Sequence, residues 1–102
     1  MDQIKQLKVR GKIKVKKFLK IGFVYNPFSN TLYKKYGDEL ELFINVYTGL
    51  LFYIGHNENP LKIKINPIFN NTECESKVAC LKELFDLKLV KWEKYQFVSF
   101  LD

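Results

Sequence analysis

Five basic side chains stand two apart near the start of the chain: Lys8, Arg10, Lys12, Lys14 and Lys16, with Lys20 extending the run. Cations at that spacing hold anions, and the phosphate of a nucleic acid is the commonest anion that such a row meets. Lysine outnumbers arginine sixteen to one, and Arg10 is the single guanidinium. A lysine amine lacks the planar fork that reads base edges in pairs, so the row suits phosphate attraction better than base reading. Phe18 falls among the lysines and is the best candidate to stack on an unpaired base.

The other reactive residue types are sparse. His56 is the only histidine, and it sits in the turn-forming stretch His56-Asn57-Glu58-Asn59-Pro60 with no nucleophile or acid at a catalytic spacing. Asp38, Glu39 and Glu41 cluster before an apolar run, but a polar turn explains them, and the spacing is unlike that of a calcium loop. Cys74 and Cys80 lie six apart on an expected helix, about 9 Å of rise with side chains on different faces. Such a pair is beyond disulfide reach, so free thiols are expected. Asn70-Asn71-Thr72 matches a glycosylation sequon, read as chance in a chain that lacks a secretory signal. There is no glycine-rich phosphate loop, no Ser/His/Asp set and no Cys-x-x-Cys pair. The expectation is a non-enzymatic protein with no metal and no cofactor.

The formal charge of +6 is unevenly placed. Residues 1–20 hold eight basic side chains against Asp2 alone, a local +7, while the remainder holds nine basic and ten acidic ones. Codon bias in an AT-rich gene enriches lysine, asparagine, isoleucine and phenylalanine together. It does not confine lysine to one end.

The elements that would position these residues follow from periodicity. Leu7, Val9, Ile13, Val15, Leu19, Ile21, Phe23 and Tyr25 alternate with the basic residues, which is a strand pattern. Gly11 and Gly22 interrupt it, so it reads as one long bent strand or as two strands meeting near Arg10-Gly11. On a strand, neighbouring cations two residues apart are about 6.8 Å apart. Each pair repels by roughly 0.6 kcal/mol in water, which an anionic partner would relieve. Two rival readings exist: lysines that blunt an exposed edge strand against aggregation, and an ordinary solvated face.

Residues 26–39 read as a loop, with a short helical turn possible over 31–36. Leu40, Leu42, Ile44 and Val46 then alternate with Glu41, Phe43, Asn45 and Tyr47, and Thr48-Gly49 introduces a second run from Leu50 to Ile54. With Leu61, Ile63 and Ile65 this makes a three-stranded antiparallel meander over 40–66. Thr72 with Glu75 forms a capping box, and Cys74, Val78, Leu81 and Phe85 make one helical stripe over 72–87. Glu73 and Lys77 stand four apart as an ion pair on its outside. Residues 88–101 return to strand-forming types, with a hairpin possible at Glu93-Lys94.

The fold class is therefore α+β: mostly antiparallel sheet, or a small OB-like barrel, with one helix at about 72–87, in a single domain spanning 1–102. No apolar run is long enough for a membrane span, and the interrupted N-terminus does not read as a signal peptide, so a cytoplasmic location is expected. Two functions fit. The first is a small accessory protein that binds DNA or RNA through phosphate, using Lys8, Arg10, Lys12, Lys14, Lys16, Phe18 and Lys20. The second is a protein-interaction or inhibitor protein, of the kind small virus or mobile-element genomes encode. It would be a homodimer or bind an acidic partner through an aromatic face: Phe43, Tyr47 and Tyr53, with Trp92 and Tyr95.

Overall fold

The computed structural model describes residues 4–38, 40–55 and 64–95. The turn around His56, residues Leu61 and Ile63 of the expected third strand, Glu39, and the tail beyond Tyr95 lie outside the described residues. Strands β2 (Val24–Asn26), β3 (Thr31–Tyr36), β4 (Leu40–Asn45), β5 (Leu51–Gly55) and β6 (Lys64–Pro67) form one antiparallel sheet in sequence order. A second, two-stranded sheet pairs β1 (Lys5–Val9) with β7 (Val90–Lys94). Three short helices, α1 (Val15–Leu19), α2 (Glu75–Cys80) and α3 (Lys82–Asp86), complete the architecture. The class is α+β and mostly antiparallel, and among the described residues the sheets do not close into a barrel.

The meander formed where alternation asked for it. In β4, Leu40, Leu42 and Ile44 are buried, while Glu41, Phe43 and Asn45 are half-exposed. Register then decides which β5 residues join them. Leu42 pairs with Tyr53, and Ile44 with Leu51, so these share the inner face. Phe52 and Ile54 fall with Phe43 on the outer face. The inner face continues through Leu32, and Phe18, Phe23, Ile68, Cys74, Leu81, Leu84, Leu7, Val9 and Val90 close the core over it.

The first twenty residues depart from the expected strand. β1 ends at Val9, and the chain bends through Arg10, Gly11 and Lys12 with Gly11 at φ +66, a left-handed conformation that glycine adopts without strain. It then enters α1. Through α1 and the turn after it the apolar spacing is three, Val15 to Phe18 to Ile21, and Phe18 is only 1% exposed. Its ring meets Phe23 edge-on at 5.3 Å. Nor is β1 an edge strand. Its even-numbered residues face β7, and just beyond the two strands the Arg10 N–H continues the pairing to the Leu89 carbonyl. Its odd-numbered ones bond elsewhere: Leu7 N–H to the Ile68 carbonyl at 2.8 Å, and Val9 N–H to that of Gly49 at 2.7 Å. Edge protection therefore does not account for its lysines, Lys5 and Lys8.

Three further expectations are corrected. Residues 26–39 hold a β-hairpin, β2–β3, whose turn is organised by the Asn26 side chain accepting from Phe28 N–H. The expected single helix over 72–87 is a 3₁₀ turn at Thr72–Cys74 followed by α2 and α3, broken at Leu81. Its cap is Asn71, whose side chain accepts from Cys74 N–H at 3.0 Å, in place of Thr72. Lys77 reaches the backbone carbonyl of Glu73 and lies over the Tyr53 ring. Glu93 and Lys94 are the last two residues of strand β7, so the chain does not turn at that pair. Cys74 and Cys80 are both free thiols, the first buried and the second exposed. Among the described residues no helix is long and apolar enough to cross a membrane.

Candidate functional site

The basic residues sort by element rather than by parity. Lys8, still on β1, forms an ion pair with Glu93 of β7 at 3.0 Å. Arg10 and Lys12 sit in the bend. Lys14 precedes α1, and the helical period places Lys17 on its side of the helix and Lys16 with Lys20 on another. Lys16 and Lys20 are exposed. The regular ladder of cations does not exist, and the repulsion reckoned from strand spacing does not apply past Arg10.

The bend makes something else. Arg10, Lys12, Lys14 and Lys17 line a cavity of about 260 Å³ together with Lys88, and no acidic residue lines it. Its floor is apolar, formed by Val9, Phe18 and Leu89. Phe18 therefore supports the cavity from the core and is not a stacking surface. Lys88 arrives from the far end of the chain because Arg10 N–H donates to the neighbouring Leu89 carbonyl at 2.8 Å. Five cations in one concavity sum their fields and concentrate positive potential there.

Lys88 occupies an unusual conformation. Helix α3 ends in a Schellman motif: Leu89 N–H donates to the Leu84 carbonyl at 2.9 Å and Lys88 N–H to that of Phe85 at 3.0 Å. The residue between these bonds must be left-handed, and glycine is its usual occupant. Here Lys88 takes it at φ +56. Neither Lys17 nor Lys88 stood out in the sequence. The helical spacing from Lys14 was the available signal for Lys17, whereas Lys88 depends on a long-range contact that no local pattern shows.

A second cavity, about 430 Å³, adjoins the first through Lys12, which lines both. Its other walls are Lys8, Gly11, Ile13, Asn30 and the turn from Val46 to Gly49. Tyr47 on that turn is 89% exposed. The turn is held by the Asn45 side chain, which accepts from Tyr47 N–H at 2.9 Å and Thr48 N–H at 3.0 Å. Val46 N–H donates to the Asn30 carbonyl at 3.0 Å and so ties this turn to the β2–β3 turn, where Phe28 is fully exposed.

The five aromatic residues expected to form one protein-binding face are dispersed. Tyr53 packs on the inner face, with burial and then the Cys74 thiol pushing its hydroxyl pKa up. Trp92 pairs with Leu7 and lies tilted against Phe85, and Tyr95 meets Phe69 edge-on. Tyr47 belongs to the second cavity. Only Phe43 stands on the outer sheet face, in a register row that runs Val24, Tyr33, Phe43, Phe52, Pro67. Ile54 and Ile65 continue it in the adjacent row. Val24 and Ile65 are exposed, and the other five side chains lie outside the core cluster. No protein-family model, no curated protein and no solved structure matches the chain.

Proposed function

We propose that the protein binds nucleic acid through its phosphate groups, as a non-enzymatic accessory factor, and that the site is the basic cavity of Arg10, Lys12, Lys14, Lys17 and Lys88. The observation that carries this reading is the convergence of five cations on one concavity with no acid among its lining residues. Lys88 supports it independently. A non-glycine residue in a left-handed cap is strained by roughly 1–2 kcal/mol, and strain of that kind concentrates where a side chain is needed for binding. Five phosphate contacts predict a log–log slope of affinity on salt of about −4, slightly shallower on single strands. Filter retention of labelled oligonucleotides across a salt series measures it, and no retention at about 50 mM salt sinks the reading.

A separate observation favours a second reading, in which the protein associates with another copy of itself through the outer sheet face. That face is apolar and electrically balanced, since Lys35 stands opposite Glu41 in the β3–β4 register. Its self-complementary charge fits an identical surface turned about a two-fold axis better than an acidic partner. Light scattering decides: a dimer that persists in high salt is expected, and a strict monomer at all concentrations rejects this second reading.

A further inference from the structure

A phosphate cavity alone does not discriminate between paired and unpaired strands, but its neighbour does. We infer that the second cavity takes an unstacked base against Tyr47 while Lys12 and the basic cavity hold the adjoining phosphate, so that the protein selects single-stranded nucleic acid over duplex. This rests on the nucleic-acid reading above and specifies its substrate.

Three features support it. The two cavities share Lys12, which is the arrangement one nucleotide requires, with its phosphate and base a short distance apart. The second cavity, at about 430 Å³, lies within the range of small-molecule sites, and Ile13 and Val46 give it apolar walls suited to a base. Finally, the aromatics at this end are offered to solvent and not to the core. Tyr47 is 89% exposed and Phe28 fully so, on two turns joined by the Val46–Asn30 hydrogen bond. Single exposed aromatics are ordinary on a protein surface. Two on tied turns, beside a cationic cavity, are the stacking platform and electrostatic groove that sequence-tolerant single-strand binders combine. In a duplex the bases are stacked inside and cannot reach either ring.

The same aromatic tips and lysines would suit insertion into an anionic membrane, but a flat lipid surface has no use for two walled cavities. The experiment separates these. Anisotropy titrations use a labelled oligothymidylate of about 20 nucleotides, a duplex of the same length, and phosphatidylserine-containing vesicles. Single strand is expected to bind at least about tenfold more tightly than duplex. Tyr47→Ala should weaken single-strand binding about 5- to 30-fold, from the stacking lost with one base, and leave duplex binding unchanged. Phe28→Ala should act in the same direction. Both side chains are exposed, so the variants keep the fold, which unchanged thermal unfolding verifies. Equal or tighter duplex binding, or single-strand affinity indifferent to both substitutions, overturns this inference and leaves the phosphate reading standing. Vesicle binding that Tyr47→Ala abolishes, with no strand preference, overturns it in favour of lipid. Failure to bind either nucleic acid at low salt overturns both readings.

Discussion

Cations placed in regular structure and cations placed in the bend meet different surroundings. On the strands three lysines have an acid nearby: Lys8 pairs with Glu93 at 3.0 Å, Lys34 with Glu83 at 2.7 Å, and Lys35 stands opposite Glu41. The β1–β7 register also sets Lys5 opposite Lys94 and Lys8 opposite Lys91. In the bend, Arg10, Lys12, Lys14 and Lys17 gather with Lys88 around a cavity lined by no acid. Antiparallel pairing brings neighbours side by side at about 5 Å, where like charges repel, and in the β1–β7 ladder the Lys8–Glu93 ion pair offsets part of that repulsion. A bend escapes that constraint, and its charges can be left for a ligand. The densest acid-free group of cations thus lies where the chain leaves the sheet.

The sharpest way to break this contrast is to ask whether Phe18 belongs to the core or to the ligand. Phe18→Ala should destabilise the fold by about 3–5 kcal/mol, as loss of a buried phenyl ring does, measured as a lower urea midpoint. Phe18→Leu, which keeps most of the volume, should retain the fold and bind oligonucleotide within about twofold of the parent. A large loss of binding in Phe18→Leu with stability intact would return the ring to the ligand and undo the floor assigned to it.

That residue also shows how far the sequence was legible. Alternation over 40–54 predicts strands because both faces of a pleated ribbon are constrained, one by the core and one by solvent, and the strands are there. The parity of the β4–β5 connection was the weak point: pairing Leu42 with Tyr53 sends Phe52 and Ile54 outward, where Phe43 joins Tyr33 at 4.9 Å. Over 10–21 the alternation misled, because lysine is tolerated on any solvent-facing surface and so carries little phase information. Phe18, out of phase with the strand pattern and bracketed by Gly11 and Gly22, was the residue that disagreed. Read at spacing three with Val15 and Ile21, it gives the helix. The charge was legible as an amount confined to one end, while its shape required Lys88 from a partner segment seventy residues away in the fold's tertiary pairing.

Reversing charge in the bend tests the contrast from the other side. Lys12 lines both cavities, and Lys12→Glu with Lys14→Glu should lower oligonucleotide affinity by about 100-fold while leaving the urea midpoint nearly unchanged, since both side chains are exposed. The same reversal at Lys35 and Lys91, exposed strand lysines that line neither cavity, should have a much smaller effect on binding, and equal losses at both pairs would erase the distinction between ladder and bend.

A compensated lysine should instead matter to stability, and pH reports it. Lys34 leaves the inner face of β3 to reach Glu83 and the Ile21 carbonyl, and its amine lies 4.8 Å from the Tyr36 ring centre. Tyr36 also donates to Glu83. These hydrogen bonds, Lys34's foremost, hold the Glu83 carboxyl below its ordinary 4.5, while burial and then Glu83 push the Tyr36 hydroxyl up. A carboxyl depressed by folding stabilises the native state above its unfolded pKa, and that contribution is lost as pH falls below about 4.5. Glu83 is 39% exposed, so solvent screening keeps its share small. Glu83→Gln should cost about 1 kcal/mol near neutrality and flatten the acid limb of urea midpoints taken down to about pH 3, with oligonucleotide affinity unmoved.

The smallest expected effect discriminates best, because stability and binding should move in opposite directions. Lys88 holds a left-handed position in the cap of α3 that glycine fills without strain, and its side chain lines the basic cavity. Lys88→Gly relieves the conformational strain but loosens the unfolded chain, and the two nearly offset, leaving a gain of about 0.5 kcal/mol or less. The same substitution removes one of five cations, which should weaken oligonucleotide binding several-fold at low salt and make the salt slope shallower by about one. A lysine kept there only as a helix cap would show the first change without the second. A variant both as stable and as tightly binding as the parent would mean that the cavity's charge is set by Arg10, Lys12, Lys14 and Lys17 alone, confining the site to the bend itself.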